Sequence, residues 1–237
     1  MKVSVIIPSY NAGSYLVQAV SSVRKQQTSF PLNTEIIVID DGSSDGSVEQ
    51  LQGPAAAERT LESDLRILRQ NHQGAAAARN YGMKEATGDC LLFSDADDLL
   101  VPDAIESFYQ GLLQNKDAVV ALGMAEDFIS EELDAKQASE LSKKEFPYSG
   151  VLAGCCFGKR EVFLEVGFFD TSLKAGENVE WLARLRNSGL KTVQLDVVTV
   201  RRRIHLTNTG RVYGQEQMKD YATIIRRWLL AKKISGR

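Results

Sequence analysis

Cys90-Leu-Leu-Phe-Ser-Asp-Ala-Asp-Asp98 is a short apolar run that ends in three carboxylates within four residues. Four consecutive apolar residues bounded by polar ones suit a buried strand, and a strand end is where an open α/β sheet presents its ligand site. Carboxylates gathered at such an edge resist being ionised together unless a cation, usually a divalent metal, neutralises them. The stretch therefore points to metal and, behind the metal, phosphate. A second reading stays open, in which Asp97 and Asp98 cap the helix that begins near Pro102.

Upstream, the chain alternates between two periods. Val3 to Ile7 is a continuous apolar run, followed by Tyr15, Leu16, Ala19, Val20 and Val23 at helical spacing. The same alternation predicts strands at Glu35–Ile39, Leu65–Leu68 and Cys90–Phe93, with helices at Ser44–Leu51 and Ala75–Ala86 between them. Strands alternating with helices predict a mostly parallel, doubly wound sheet. Pro102–Gln114 reads as a further helix with proline in its tolerated first turn, and Ala118–Leu122 as another buried strand. The polar stretch Ser130–Lys144 reads as a loop or hairpin excursion. After it come a small-residue strand at Gly150–Phe157, helices at Lys159–Val166 and Glu177–Asn187, and two short strands at Lys191–Leu195 and Val197–Val200. Apart from Ala55–Ala57 and Ala75–Ala78 there is no low-complexity tract, and no Gly/Ser linker divides the chain.

At 237 residues and 43% hydrophobic composition the chain can bury a full core. Its apolar runs fall far short of the roughly 20 residues that span a bilayer, and Met1 leads directly into a strand, so a cytoplasmic protein is expected. Cys90, Cys155 and Cys156 are odd in number and lack paired metal spacing, which favours reduced core thiols over zinc. From Arg201 onward ten Lys or Arg stand against Glu216 and Asp220, a balance of +8 that leaves −11 for residues 1–200 within the net charge of −3. An acidic body excludes nucleic acid as the expected partner. The basic tail suits an anionic partner, either a phosphate group or a membrane surface, or else is a solvated face.

Two further turns carry chemistry. The first strand ends in Pro8-Ser-Tyr-Asn11 and the second in Asp40-Asp-Gly-Ser-Ser-Asp45, and a doubly wound sheet sets these turns side by side. An aromatic ring beside a carboxylate can stack on a nucleobase and accept hydrogen bonds from its imide or from a ribose hydroxyl; equally, Ser44 and Asp45 could only start a helix. Gly74 makes a turn before a helix with Arg79 one turn in, and helix N-terminal amides with a guanidinium suit a diphosphate, although Arg79 as a surface ion-pair partner is as good a reading.

Taken together, Val3-Ser-Val-Ile-Ile-Pro-Ser-Tyr-Asn11, Val38-Ile-Asp-Asp-Gly-Ser-Ser-Asp45, Gly74-Ala-Ala-Ala-Ala-Arg-Asn80, Ala86-Thr-Gly-Asp89 and Asp95-Ala-Asp-Asp98 with Pro102 resemble the successive signatures of family 2 glycosyltransferases. Gly167-Phe-Phe-Asp170 and Gly176–Trp181 continue the match to about Asn208. The resemblance implies a GT-A fold over residues 1–208, with a nucleotide-binding half at 1–122 and a smaller acceptor half at 123–208. It implies transfer of a sugar from a nucleotide-diphosphate donor, a UDP-sugar foremost, to an acceptor hydroxyl with inversion, in glycan, polysaccharide or glycolipid synthesis. Carried over, Pro8, Tyr10, Asn11 and Asp41 would hold the nucleobase with Asp40 nearby, Gly74 and Arg79 would face the diphosphate, and Asp95 would touch the ribose or the metal. Asp97 would be the principal ligand of Mn²⁺ or Mg²⁺, with Asp98 either joining it or bonding the following helix.

One position departs from the family. Where Glu-Asp at the start of the later helix supplies the carboxylate that deprotonates the acceptor, this chain has Gly176-Glu-Asn-Val-Glu180. An Asn amide has no basic site near neutral pH. Either Glu177 or Glu180, three apart and expected on one helix face, serves as base; or Asn178 inactivates an otherwise intact enzyme; or the domain binds a nucleotide sugar without transferring it. In the tail, Arg201-Arg-Arg-Ile-His205 places a histidine that would reach the metal or the diphosphate, or be structural. Residues 209–237 read as a basic amphipathic helix, with Met218, Tyr221, Ile225, Trp228 and Leu229 on one stripe and Arg226, Arg227, Lys232 and Lys233 around it. That stripe would pack on the domain or touch a membrane near a lipid-linked acceptor. A nucleotidyltransferase would need a glycine-rich loop where Pro8-Ser-Tyr-Asn11 stands, and a dehydrogenase a G-x-G-x-x-G after an early strand; neither is present.

Overall fold

The computed structural model describes residues 1–52, 63–149, 152–212 and 214–235. Strand β1 (Lys2–Ser9) leads to helix α1 (Tyr15–Arg24), β2 (Asn33–Asp40), β3 (Ser63–Arg69), α2 (Ala75–Glu85) and β4 (Cys90–Phe93). The second half holds β5 (Leu99–Leu100), α3 (Ala104–Gln114), β6 (Val120–Ile129), α4 (Ala135–Ser139), β7 (Tyr148–Ser149) and β8 (Cys156–Lys159). It ends in α5 (Arg160–Val166), α6 (Glu177–Asn187), β9 (Thr192–Ile204), α7 (Thr209–Val212) and α8 (Gly214–Ser235). All nine strands join one sheet in the order β3-β2-β1-β4-β8-β6-β9-β5, with β7 beside β6. The nucleotide-side strands β3, β2, β1 and β4 are mutually parallel, as the alternation required.

Successive residues of a strand point to opposite faces, and β1 shows why both faces need helices. Val5 and Ile7 pack with Leu16, Val20 and Val23 of α1 and Ile105 and Phe108 of α3. Ile6 faces the other way, into a cluster with Ala78 and Met83 of α2, Phe163 of α5 and Trp181, Leu182 and Leu185 of α6. Cys90, Cys155 and Cys156 are buried and form no disulfide among the described residues.

Several expectations are corrected. Ser44–Leu51 is not an α-helix: only Glu49–Gln52 turns, as 3₁₀, because Gly46 sits at φ +75° and Asp45 Oδ1 takes the amide and hydroxyl of Ser47 at 3.0 and 2.6 Å. Local side-chain bonds of this kind compete with helix. The strand expected at Gly150–Phe157 begins only at Cys156, after a 3₁₀ turn at Ala153–Cys155; Gly150 and Val151 lie outside the described residues, as does Ala55–Ala57. The two strands expected at 191–200 are one long strand, β9, whose pairing to β6 shifts register around Met124. The 130–144 excursion contains α4, closed by a capping box between Asp134 and Gln137. On α8, Met218 and Ile225 point outward, while Gln217, Asp220 and Arg227 bond to the domain and Tyr221 is half-buried near Glu177. The side chains of Trp228, Leu229, Lys232 and Lys233 lie outside the described residues. No helix among the described residues is long and apolar enough to cross a membrane.

At the edge remote from the strand ends, a buried carboxylate ties β1, β2 and β4 together. Glu35 accepts hydrogen bonds from the Ser4 hydroxyl, from Thr87 N at 2.6 Å and Thr87 Oγ1 at 2.9 Å, and from Gly88 N at 3.1 Å. Burial works to raise its pKa, but these bonds, with Lys2, outweigh that and hold it at about 2 against an ordinary 4.5. A carboxylate whose folded pKa is depressed stabilises the fold above its unfolded pKa and loses that contribution as pH falls through the folded one. Stability should therefore decline as pH drops from 4.5 toward 2. Glu35→Gln, which turns a donor toward the Thr87 and Gly88 amides, should cost about 1–3 kcal/mol at neutral pH and flatten the decline, as read by denaturant midpoints across that range.

Candidate active site

Three turns at the carboxyl ends of β1, β2 and β4 and the turn after β3 converge on one cleft. The first two are zipped by Asn11 N to Ser43 Oγ at 3.0 Å and Ser44 N to Asn11 Oδ1 at 2.9 Å, with Asn11 itself at φ +49°. Asp40 is buried, accepting Ser43 N at 2.9 Å and pairing with Arg69 at 3.3 Å. Pro8 is buried in β1, whereas Tyr10 stands 49% exposed above it.

Asp41 organises the turn after β3. Its Oδ1 accepts Gln70 Nε2 at 2.7 Å and Gln73 N at 2.8 Å; its Oδ2 accepts Gly74 N at 2.8 Å and meets His72 Nδ1 at 2.9 Å. A carboxylate offers about four lone-pair sites; three donors take three of them, and the His72 ring, whose Nδ1 also meets the Asp41 carbonyl at 3.2 Å, lies beside the fourth. The His72 ring lies on Tyr10 with centroids 4.0 Å apart and planes 28° from parallel. Sequence reasoning left His72 without a role; its only signal was its place two residues before Gly74, beside an exposed aromatic.

The carboxylates that follow β4 are drawn in three directions. Asp95 Oδ1 accepts Arg79 Nη2 at 2.6 Å, Asp97 Oδ2 meets His205 Nε2 at 2.9 Å, and Asp98 Oδ1 accepts Arg203 N at 2.9 Å. Asp98 is fully enclosed, and burial, then the neighbouring charges of Asp97 and Asp95, push its pKa well up. It secures β9 and does not cap the helix near Pro102, where Asp103 takes the N-cap position. Asp95 and Asp97 keep 24% and 31% of their side chains exposed and are the two that open onto the cleft. His205 Nδ1 lies 3.0 Å from Thr207 Oγ1 and 3.4 Å from Thr207 N, and Asn208 Oδ1 accepts the His205 amide at 2.7 Å. Arg203 braces the same turn through Asp97 O at 2.9 Å and reaches Gln18 on α1 at 2.7 Å. Among the described residues no three His, Cys, Asp or Glu side chains gather closely enough to hold an ion by themselves.

Arg79 differs from its sequence reading as a surface pair or as a group presented to a diphosphate. Its guanidinium is buried between Asp95 and Glu177, donating to Glu177 Oε1 at 2.7 Å. Burial opposes its charge, and the two carboxylates outweigh that and raise its pKa above the ordinary arginine value. Glu177 and Glu180 do not act as one face either. Glu180 is captured by Arg184 at 2.8 and 3.0 Å, and that guanidinium also holds the carbonyls of Val166 and Phe168, so the pair fixes the turn before α6. Between them Asn178 lines a narrow apolar cavity with Phe93, Phe163, Phe169 and Trp181, and its Oδ1 is buried with no hydrogen-bond partner.

The cleft is thus a row of loop carboxylates at the switch edge of a doubly wound sheet, an arrangement suited to nucleotides. The sequence profile of glycosyl transferase family 2 matches residues 4–167, and the chain belongs to that family. Glycosyltransferase GlyG of Streptococcus pneumoniae serotype 4 is 32% identical over 186 residues, 70% of this chain and 59% of that protein. An uncharacterized glycosyltransferase of Haemophilus influenzae is 38% identical over 116 residues, 48% of this chain and 43% of that protein. The chain therefore spans less than two thirds of these relatives. S. aureus TarS 1-349 in complex with UDP superposes with a TM-score of 0.66 at 20% identity, covering 95% of this chain and 65% of that one. GalNAc-T7 with UDP, GalNAc and Mn²⁺ gives 0.69 at 20%, covering 95% and 48%. The fold is GT-A.

Removing one partner of a buried ion pair leaves the other uncompensated. Arg79→Met should lower stability by about 3–5 kcal/mol, and adding Glu177→Gln should return part of it, as measured by urea unfolding of the single and double variants.

Proposed function

We propose that the chain transfers a sugar from a nucleoside diphosphate sugar, a UDP-sugar foremost, to an acceptor hydroxyl with inversion, in the assembly of a glycan, polysaccharide or glycolipid. The observation that carries this reading is the division of the β4 carboxylates. Asp98 is spent on β9, while Asp95 and Asp97 stay open to the cleft beside the Tyr10–Asp41 turn. UDP and UDP-GlcNAc complexes of TarS, and the UDP, GalNAc and Mn²⁺ complex of GalNAc-T7, support the donor class.

In this reading Tyr10 stacks on the nucleobase and Asp41 accepts a base or ribose donor. His72, 53% exposed beside the Asp41 carboxylate and stacked on Tyr10, is the group free to give way to a base or ribose donor. Asp97, with Asp95 or His205 beside it, would hold Mn²⁺ or Mg²⁺ only together with phosphate oxygens of the donor, since no three His, Cys, Asp or Glu side chains among the described residues gather closely enough to bind an ion. Such an ion would supply charge neutralisation for the departing diphosphate. Arg79 holds Asp95 in place from behind, and Glu177 is the carboxylate left at the start of α6 to take the acceptor proton.

A second reading, a nucleotide-sugar binding module, is favoured by one observation: Glu177 is committed to Arg79, and the residue beside it is an amide facing apolar groups. Calorimetry with UDP and Mn²⁺ should detect binding that weakens at least about tenfold in Asp97→Ala. Binding of equal strength without metal would remove Asp97 from its role. If the module reading holds, Asn178→Asp should raise transfer from UDP-sugars well above that of the unchanged chain. If the enzyme reading holds, Glu177→Gln should abolish turnover and leave UDP affinity in place.

A further inference from the structure

Helix α8 lies beyond the part of the chain matched by the family profile, which ends at residue 167, yet its polar side chains converge on the loop that delivers α6. Asp220 Oδ2 accepts the amides of Lys174 at 2.8 Å and Ala175 at 2.9 Å. Gln217 Nε2 donates to the carbonyl of Ala175 at 3.3 Å, and Arg227 pairs with Asp170 at 2.5 Å. Asp170 is itself held low, at about 2, by the Ser172 hydroxyl first and then by Arg227. The loop is thereby fixed at both its beginning and its end by one helix.

Gly176 shows how close the approach is. A Cβ there would stand 2.8 Å from Asp220 Cβ and 3.2 Å from Ile224 Cδ1, so only glycine admits α8 at this distance. Gly176 is also the N-cap residue of α6 and gives it no side-chain cap. In place of a cap, the negative charge of Asp220 sits against the two amides just ahead of the helix, where the helix dipole favours an anion. The next two residues are Glu177 and Asn178. Tyr221 follows Asp220 and lies near enough to Glu177 that burial, then the charge of Glu177, raises its pKa.

We infer that Asp220 is a positioning residue for the acceptor side: from α8 it sets the first turn of α6, and with it the carboxylate of Glu177, without touching the donor. This rests on the transferase reading above. The contact face of α8 sets these polar groups beside Ile224 and Tyr221, while Met218 and Ile225 are 66% and 56% exposed.

The test uses the full chain with Asp220→Ala and Asp220→Asn, UDP with Mn²⁺ as binding probe, a panel of UDP-hexoses and UDP-N-acetylhexosamines as donors, and hydrolysis or transfer as turnover. Asp220→Ala should speed hydrogen exchange of the Lys174 and Ala175 amides at least about tenfold and lower kcat about 10- to 100-fold, with donor KM and UDP affinity within about twofold of the unchanged chain. Asp220→Asn keeps an accepting oxygen and should recover most of the turnover. Faster exchange with unchanged kcat would overturn the inference, as would a parallel loss of UDP affinity, unchanged exchange, or an unchanged chain that binds UDP and never turns over. An unchanged chain that does not bind UDP defeats the transferase reading instead.

Discussion

Carboxylates of like charge side by side at a strand end cannot all stay ionised unless each finds its own counterpart, and the architecture of this cleft follows from how that demand is met. Asp95 takes Arg79 from α2, Asp97 takes His205 from the end of β9, and Asp98 takes a backbone amide of β9. The partners come from α2 on one side and from the end of β9 on the other, so separating the charges also fastens α2, β9 and the β4 turn to one another. Arg203 completes the brace by reaching across to α1. The result is a rim in which only two of three carboxylates face outward, next to a turn that the Asp41 carboxylate holds closed by three donors, with His72 alongside.

The half of the fold built from local periodicity was open to reading from the sequence. β1, β2, β4 and α2 fall where apolar runs and helical spacing put them, because a buried parallel strand is a continuous apolar run and the paired helices must present one apolar stripe to it. The errors arose where a backbone preference or a distant partner overrides the pattern. Gly46 adopts a left-handed conformation that a helix across Ser44–Leu51 could not contain. Asp196 resembles a break between two strands, yet β9 continues through it, carried by its long pairing with β6.

For the site, residue types were legible and partnerships were not. The sequence marks Asp95 for ribose or metal, Arg79 for a diphosphate or a surface ion pair and Glu177 as a candidate base, but nothing in spacing says that Arg79 would be enclosed by a residue 98 positions away. The same holds for His205 and Asp97, 108 positions apart. Glu177 and Glu180 look interchangeable at a separation of three, and only the positions of Arg79 and Arg184 distinguish them. On α8 the amphipathic pattern does not show which polar groups meet the domain, since hydrophobicity records what a helix tends to bury, not which carboxylate it delivers to a neighbouring loop.

Arg79 has a consequence that reaches beyond holding two side chains. One guanidinium shared by two carboxylates in a dry pocket makes their electrostatic states dependent on each other. Whatever neutralises Asp95 at the mouth of the cleft leaves a larger share of the cation to Glu177, and whatever leaves Asp95 bare draws it back. The states of the two carboxylates are therefore coupled through charge alone, with no lid, hinge or moving strand between them.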